Sequence, residues 1–405
     1  MTLVARSDRA VAEAAPTGLA DLDFDAAAAS IDVLQGREAF LALRAEWDAL
    51  FIRAAQPHNV FQSHVVLRHW MDHYLDQPGR ALIVTARRQG RLIMVWPLLS
   101  RRRFGAEIVG FMGGPVAQFG DILVERVQNW EALTAAGWAA LRARGVDLFE
   151  ARKARADSVL VQAGLLAGAR ETDRQEAPYA RLAGRVGADG GPGGAYSARE
   201  RSNYRRRLRR LGERGKCTLE TVAPSREAGE FALCAITLKQ AALRRNSIVA
   251  PTISDPRFAA FFGALAADEA HDSPLRVSII RCAGEPIGID LAFDCKGATF
   301  GHVLATHPDH DRGGIGGLLV HHSFACAIAR GSATFDMLAP ADPYKRDHAD
   351  GVTMVSDYLL PMTLKGSAAM LFNPRRWRPL LKSAMRTLPM PVVRRLASWA
   401  NSGKN

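Results

Sequence analysis

The sequence predicts an α/β (α+β) chain of two successive domains, each a mixed, mostly antiparallel sheet flanked by helices. Three observations carry this. At 405 residues the chain exceeds what one compact core usually fills, and its 48% apolar content supplies two cores. Charged residues make up 23% without depletion of hydrophobic ones, which excludes a largely disordered chain. One order of elements, three strands, a glycine-containing loop, a helix and a strand, occurs twice along the sequence.

The first occurrence has strands at Ala81 to Ala86, Leu92 to Leu99 and Glu107 to Phe111, then the loop Gly113-Gly114-Pro115. A helix from Trp130 to Arg144 and a strand from Asp147 to Ala151 complete it. In the second, Leu275 to Arg281 and Ile287 to Asp294 read as strands around an Ala-Gly-Glu-Pro turn, and Ala298 to Ala305 alternates as a third. After the loop Arg312 to Gly317, the apolar positions Leu318, Leu319, His322, Cys326 and Ala329 recur at helical spacing, and Gly331 stands where a C-cap belongs. Ala333 to Leu338 then reads as a buried strand.

Between the halves, Gly184 to Gly194 ends in Gly-Gly-Pro-Gly-Gly, a linker or mobile loop. The expected organisation is a disordered leader (1–30), a first domain (31–182), a glycine-rich linker (183–196), a second domain (197–364) and a basic amphipathic tail (365–405). The leader alternates Ala with Asp and Arg and builds no apolar core of an export signal. No uncharged run approaches the ~18 residues of a spanning helix, and five cysteines without a CxxC pair argue against a disulfide framework or zinc cage. A reducing cytoplasm is the expected location.

The segment Thr306 to Leu319, with glycines at 313, 314, 316 and 317, places a glycine turn at a helix start. Free backbone N–H groups and the positive helix end meet there, and glycine removes the Cβ atoms that would obstruct a pyrophosphate. The alternative is a tight turn without ligand. A dinucleotide fingerprint beginning at Gly314 would require glycine where Leu319 stands, and no Gly-Lys-Ser/Thr of a P-loop is present, so neither NAD nor ATP is supported.

This segment resembles the GNAT superfamily, whose Arg/Gln-x-x-Gly-x-Gly/Ala loop wraps coenzyme A pyrophosphate. Gly314-Ile315-Gly316 fits; the Arg/Gln position falls on Asp311, with Arg312 one residue late. Asp336-Met337-x-x-Pro340-x-x-x-Tyr344-Lys345 is similar to the Asp-Phe-x-x-Gly-x-x-x-Tyr-Lys segment of CelD-like acetyltransferase-domain proteins, departing at Met337 and Pro340. The arginine-rich Ser202 to Leu211, Trp47 and Phe61-Gln62-Ser63 also look like theirs, and the likeness runs from Ile31 to about Leu364. The resemblance implies tandem GNAT-like domains and an acyl-CoA-dependent N- or O-acyltransferase, with acetyl-CoA or another acyl-CoA as co-substrate. The acceptor class it implies is a sugar, lipid-linked sugar or amino compound of polysaccharide, cellulose or envelope biosynthesis. Two other readings stay open: a non-catalytic subunit of a polysaccharide synthase, and a Fem-like transferase that takes aminoacyl groups from tRNA. Cofactor contacts are expected from Leu304, Ala305, Arg312, Gly313, Gly314, Ile315, Gly316 and Gly317.

Direct transfer from a thioester needs no nucleophilic Cys or Ser, but it needs a base for the acceptor's proton. Asp336, Asp290 and His302 are the candidates, Asp336 first; its alternative is a helix cap or a partner of Lys345. Tyr344 is the candidate acid for the leaving thiolate, or a packing residue. Lys345 is a candidate for a substrate carboxylate or phosphate, or a plain surface lysine. His307, His310, His321, His322 and His348 match no metal-ligand spacing, and no metal is expected.

Lysine and arginine exceed acidic residues to give a net charge of +12, which calls for an anionic partner. Between Arg199 and Lys216 stand eight arginines and one lysine against two glutamates; Arg205 and Arg206 are the candidate clamp for an anionic acceptor or coenzyme phosphates, against a plain solvated face. Only Tyr204 interleaves with them, so nucleic acid is not the expected partner. After Asp357 no acidic residue occurs, while nine cations follow among Trp377, Leu380, Leu381 and Trp399. That mixture suits peripheral contact with an anionic inner membrane, or docking on the protein's own acidic surface.

Overall fold

The structure, a computed structural model, describes residues 29–103, 105–188, 191–246, 248 and 250–373, with 311–313 described in backbone only. The first repeat opens with β1 (Ala29–Gln35), α1 (Arg37–Ala42), α2 (Arg44–Ala54) and α3 (His64–Tyr74). The meander β2 (Ala81–Arg88), β3 (Arg91–Arg103) and β4 (Ala106–Phe111) follows, then the short β5 (Leu123–Val124), α4 (Trp130–Ala143), β6 (Leu148–Arg155), α5 (Val159–Gln162) and β7 (Arg170–Arg181). The second repeat begins with α6 (Ala198–Gly212), β8 (Cys217–Val222), α7 (Arg226–Arg245), α8 (Pro251–Ser254) and α9 (Pro256–Ala266). Its meander is β9 (Leu275–Cys282), β10 (Glu285–Cys295) and β11 (Ala298–Thr306), followed by α10 (Ile315–Ala329), β12 (Thr334–Asp336), α11 (Pro343–His348), β13 (Gly351–Pro361) and α12 (Leu364–Leu371).

The predicted class holds: one large mixed, mostly antiparallel sheet of 13 strands carries helices on both faces. Its order is β1-β2-β3-β4-β6-β13-β7-β12-β11-β10-β9-β8, with β5 beside β3. The two parallel pairs, β4 with β6 and β11 with β12, occupy equivalent places in the repeats. The final strand of each repeat is exchanged. β13 pairs with β6 of the first repeat, β7 pairs with β12 of the second, and β7 and β13 pair with each other at the centre.

One face is covered by α2, α3, α7 and α9. Trp47, Trp70, Ile236, Phe261 and Phe262 pack there on Ile289, Leu291 and Phe293 of β10 in a core that crosses both repeats. Phe61 touches Phe293 with ring centroids 5.2 Å apart, and the Trp47 indole donates to the Gln62 carbonyl at 2.9 Å. Trp47 and Phe61-Gln62 therefore help hold the seam between the halves. The opposite face carries α4 over the first meander and α6 with α10 over the second.

Candidate functional site

β11 and β12 pair only from Ala298↔Thr334 to Phe300↔Asp336. Beyond that point β11 runs on beside β10 to Thr306, whereas the chain after Asp336 turns away through Leu338, a non-glycine residue at φ 60°. The strands splay, and the open edge of β11 from Gly301 onward becomes one wall of a cleft. Two lysines fix its arms. Lys239 of α7 donates to the Leu304 carbonyl at 3.2 Å, and Lys345 of α11 donates to the Leu338 and Pro340 carbonyls at 2.9 Å each.

The cleft encloses about 540 Å³ and is lined from both repeats, including Gln118, Arg152 and Lys153 from the first and His302, Tyr344 and Lys345 from the second. Gly301, Leu304 and Tyr344 also line a narrow void of about 10 Å³ between β11 and α10. These three residues thus border both the cleft and the packing beneath α10.

On the α10 face, Gly314 caps the helix in the left-handed conformation at φ 72°, and no acidic residue lies in the first turn. The Arg207 side chain of α6 lies against this turn: a Cβ on Gly314 would meet its Nε at 2.7 Å, and one on Gly317 a guanidinium nitrogen at 2.7 Å. A Cβ on Gly316 would meet nothing within 4 Å. Backbone donors, a helix dipole and a guanidinium converge on one concave, glycine-lined spot, which suits a pyrophosphate. The side chains of Asp311 and Arg312 lie outside the described residues, so Arg207 is the cation seen at the turn. Arg205 and Arg206 are exposed, and Arg206 donates to Asn203 on its own helix at 3.0 Å. Helical phase aims Arg207 inward, and sequence alone could not choose among eight arginines.

The equivalent helix start in the first repeat lacks these features. Glu131 stands in the first turn of α4, Asn129 caps it, and no glycine cluster precedes it. The splay beyond Gly110↔Glu150 is narrowed by its own chain to about 170 Å³, since a Cβ on Gly120 would fall 2.3 Å from the Phe111 ring and 2.9 Å from the Arg152 carbonyl.

The candidate catalytic side chains are not all brought together. His302 and Tyr344 line the cleft; Asp336 and Asp290 do not. Asp336 is buried, accepts from Arg155 at 2.7 Å and from the Leu338 N–H at 2.8 Å, and borders a separate cavity with Arg155 and Asp157. Burial raises its pKa against the pull of Arg155. Alternation along the strand decides this: Phe335 faces α10, so Asp336 points to the opposite face, where Arg155 reaches it. Asp290 is buried beneath α10; burial raises it to about 6 against Ser323, Arg330 and His322, and its Oδ1 has no hydrogen-bond partner.

His302 sits in a nest of Phe61, Phe258, Phe262 and Phe293 rings. Its Nε2 lies 2.8 Å from the Val116 carbonyl and 3.1 Å from the Gln118 amide, while Nδ1 is buried without a partner. Donation from Nε2–H to Val116 leaves Nδ1 as the free acceptor. Burial lowers the ring's pKa to about 4, so it is neutral at ordinary pH. Burial likewise raises the Tyr344 hydroxyl and lowers Lys345 to about 8. Lys345 is no plain surface lysine, because its ammonium holds the turn after β12. Leu304 and Ala305 lie on β11 opposite Asp290 and Ile289. Sequence reasoning missed Arg207, Lys239, Arg152 and Lys153; Lys239 belongs to no motif and is placed only by α7 crossing the sheet.

Among the described residues no group of three His, Cys, Asp or Glu side chains is placed to hold a metal ion, and no helix is long and apolar enough to cross a membrane.

No curated protein matches this chain. Among solved structures it is similar to the C-terminal domain of a protein assigned as a lysylphosphatidylglycerol synthetase from Agrobacterium fabrum, with TM-score 0.51 and 12% identity over 84% of this chain and 97% of that one. A conserved protein of unknown function from Bacteroides thetaiotaomicron superposes with TM-score 0.50 and 9% identity, covering 82% and 99%. At these identities the likeness defines the fold. A tandem GNAT protein from the clavulanic acid biosynthesis pathway matches with TM-score 0.44 and 15% identity, covering 82% and 99%. Residues 198–346 match the family described as acetyltransferase (GNAT) domain, so the sequence likeness falls on the repeat that carries the glycine turn, Arg207 and both arms of the cleft.

Proposed function

We propose that the chain is an acyl-CoA-dependent N- or O-acyltransferase whose second repeat holds the donor. The observation that carries this reading is the glycine-lined start of α10, without an acid in its first turn and with Arg207 against it. In this reading the donor's pyrophosphate rests on that turn and its thioester reaches the splay. The acceptor amine or hydroxyl enters from the 540 Å³ cleft and attacks the thioester carbonyl. The new bond to nitrogen or oxygen forms as the C–S bond breaks; His302 Nδ1 takes the acceptor's proton and Tyr344 protonates the departing thiolate. Asp336 serves the turn after β12 through Arg155, a structural role its ion pair favours over base catalysis.

The acceptor belongs, on the CelD-like resemblance, to the sugars, lipid-linked sugars or amino compounds of polysaccharide or envelope biosynthesis. The chain works in the cytoplasm, with its basic C-terminal tail touching the anionic inner membrane.

The test is thermal stabilisation by acetyl-CoA, about 2.7 kcal/mol at 100 times Kd. Gly316→Asp should abolish it without steric cost to the apo protein, because the space at Gly316 is open. A folded Gly316→Asp protein that still responds like the wild type overturns the donor site. Retained tRNA binding without any response to acetyl-CoA would favour the aminoacyl-tRNA reading instead.

A further inference from the structure

The cleft between the repeats holds three cations that no carboxylate hydrogen-bonds. The Arg152 guanidinium makes no hydrogen bond or ion pair among the described residues, and its Nε is buried without a partner. Among the described residues the Lys239 ammonium meets only the Leu304 carbonyl, and that of Lys345 meets the Leu338 and Pro340 carbonyls, with the nearest carboxylate, Asp342, 3.9 Å away. Burial lowers both amines toward neutrality, the expected response of ammonium groups desolvated without a counter-ion. Such groups are stabilised by an anion brought in from outside, and arginine's fork suits an oxyanion.

Arg152 belongs to the first repeat and lies two residues beyond the last β4–β6 pair, Gly110↔Glu150. The chain around Phe119 and Gly120 narrows that splay to a cavity of about 170 Å³, and Arg152 lines both this cavity and the larger cleft. We infer that the cleft recognises an acceptor bearing a phosphate group, held by Arg152 of the first repeat together with Lys239 and Lys345 of the second. Lys153 also lines the cleft, and with it the cations outnumber the lining carboxylates of Asp173, Asp342 and Asp357; the three that no carboxylate hydrogen-bonds favour a dianion over a singly charged carboxylate. The first repeat thereby supplies the acceptor's anchor while the second holds the donor. This deepens the acyltransferase reading and rests on it.

The experiment titrates the full-length protein, saturated with coenzyme A to occupy the donor turn, with inorganic phosphate and separately with acetate, by calorimetry. Phosphate should bind the loaded protein and acetate at least tenfold more weakly. Arg152→Met should weaken phosphate by about tenfold or more, the loss of one charge-assisted contact, and leave coenzyme A affinity unchanged. Arg152→Lys, which keeps the charge but loses the fork, should fall between, and it serves if Arg152→Met folds poorly. Arg207→Met, at the donor turn, should lose coenzyme A and keep phosphate binding. Equal phosphate affinity in Arg152→Met and wild type, or acetate binding as tightly as phosphate, overturns the proposal. If coenzyme A fails to bind the wild type while phosphate binding still depends on Arg152, the donor reading fails and the anion site stands.

Discussion

His302 owes its proposed role to a division of labour between its two nitrogens, one tied to the Val116 carbonyl and the other left bare in a nest of phenylalanines. The same burial that leaves Nδ1 unpaired lowers the ring to about 4. A base must be deprotonated to act, so kcat/KM should stay flat above about pH 5 and fall only as pH drops through about 4. A limb near the ordinary imidazole value of about 6.5 would remove His302 from the role. His302→Phe keeps a ring in the nest but removes both nitrogens, and turnover should fall by ~10²-fold or more with acetyl-CoA binding intact. Asp336→Asn is expected to behave oppositely. It removes one of the two carboxylates on buried Arg155, leaving Asp157 at 2.8 and 2.9 Å, which should cost on the order of 2 kcal/mol in urea unfolding, while the rate per folded molecule stays near wild type. A large loss of rate at unchanged stability would return the base to Asp336.

Among the elements, α4 and α10 stand at equivalent places on one plan and differ in how they begin. Each follows a meander and covers it, yet only α10 begins on glycines without an acid in its first turn. That contrast was legible in the sequence, as were the meanders, since strand alternation and turn glycines are local signals. The sequence was silent where the cause is long-range. The exchange of β7 and β13 depends on pairings as far apart in sequence as Thr334↔Arg181 and Val355↔Arg155, and the strand that reads as Ala333 to Leu338 shrinks to Thr334–Asp336 because the chain must turn at Leu338. Tyr344 and Lys345 could be marked by motif, but the separation of Asp336 from them follows from which face of β12 it occupies. The basic tail proper, residues 374–405, lies outside the described residues; it continues from α12, where Leu364 and Phe372 are exposed. The full chain should bind anionic vesicles, and a chain ending at Asn373 should not. Binding that survives the truncation, or that ignores salt, counts against the tail.

At the scale of the whole molecule, the repeats are joined by the sheet and also by side chains. Asp268, after α9, accepts from Arg68, His69 and His271 at 2.6, 2.7 and 2.8 Å, tying α3 of the first repeat to the second. Burial would raise this carboxyl, but the bonds from His271 and His69 outweigh it and hold it at about 2. A depressed carboxylate contributes stability above its unfolded pKa of about 3.9, lost as pH falls through about 2. The gap in urea midpoint between wild type and Asp268→Asn should therefore be full at pH 7 and close toward pH 2. The exchanged strands make a stronger demand. In a fragment spanning 29–196, β7 would lack both of its neighbours and β6 would expose an edge; in one spanning 197–373, β13 would lose both neighbours and the three-residue β12 would keep only β11. Neither fragment buries the central strands, and the aromatic contact of Phe61 with Phe293 is lost to both. Each alone should give no cooperative thermal transition, whereas the two co-expressed should associate and recover binding of acetyl-CoA, and the intact chain should melt in one step. A 197–373 fragment that melts cooperatively and binds acetyl-CoA alone would show that the second repeat is self-sufficient and that the exchange serves only to orient the first.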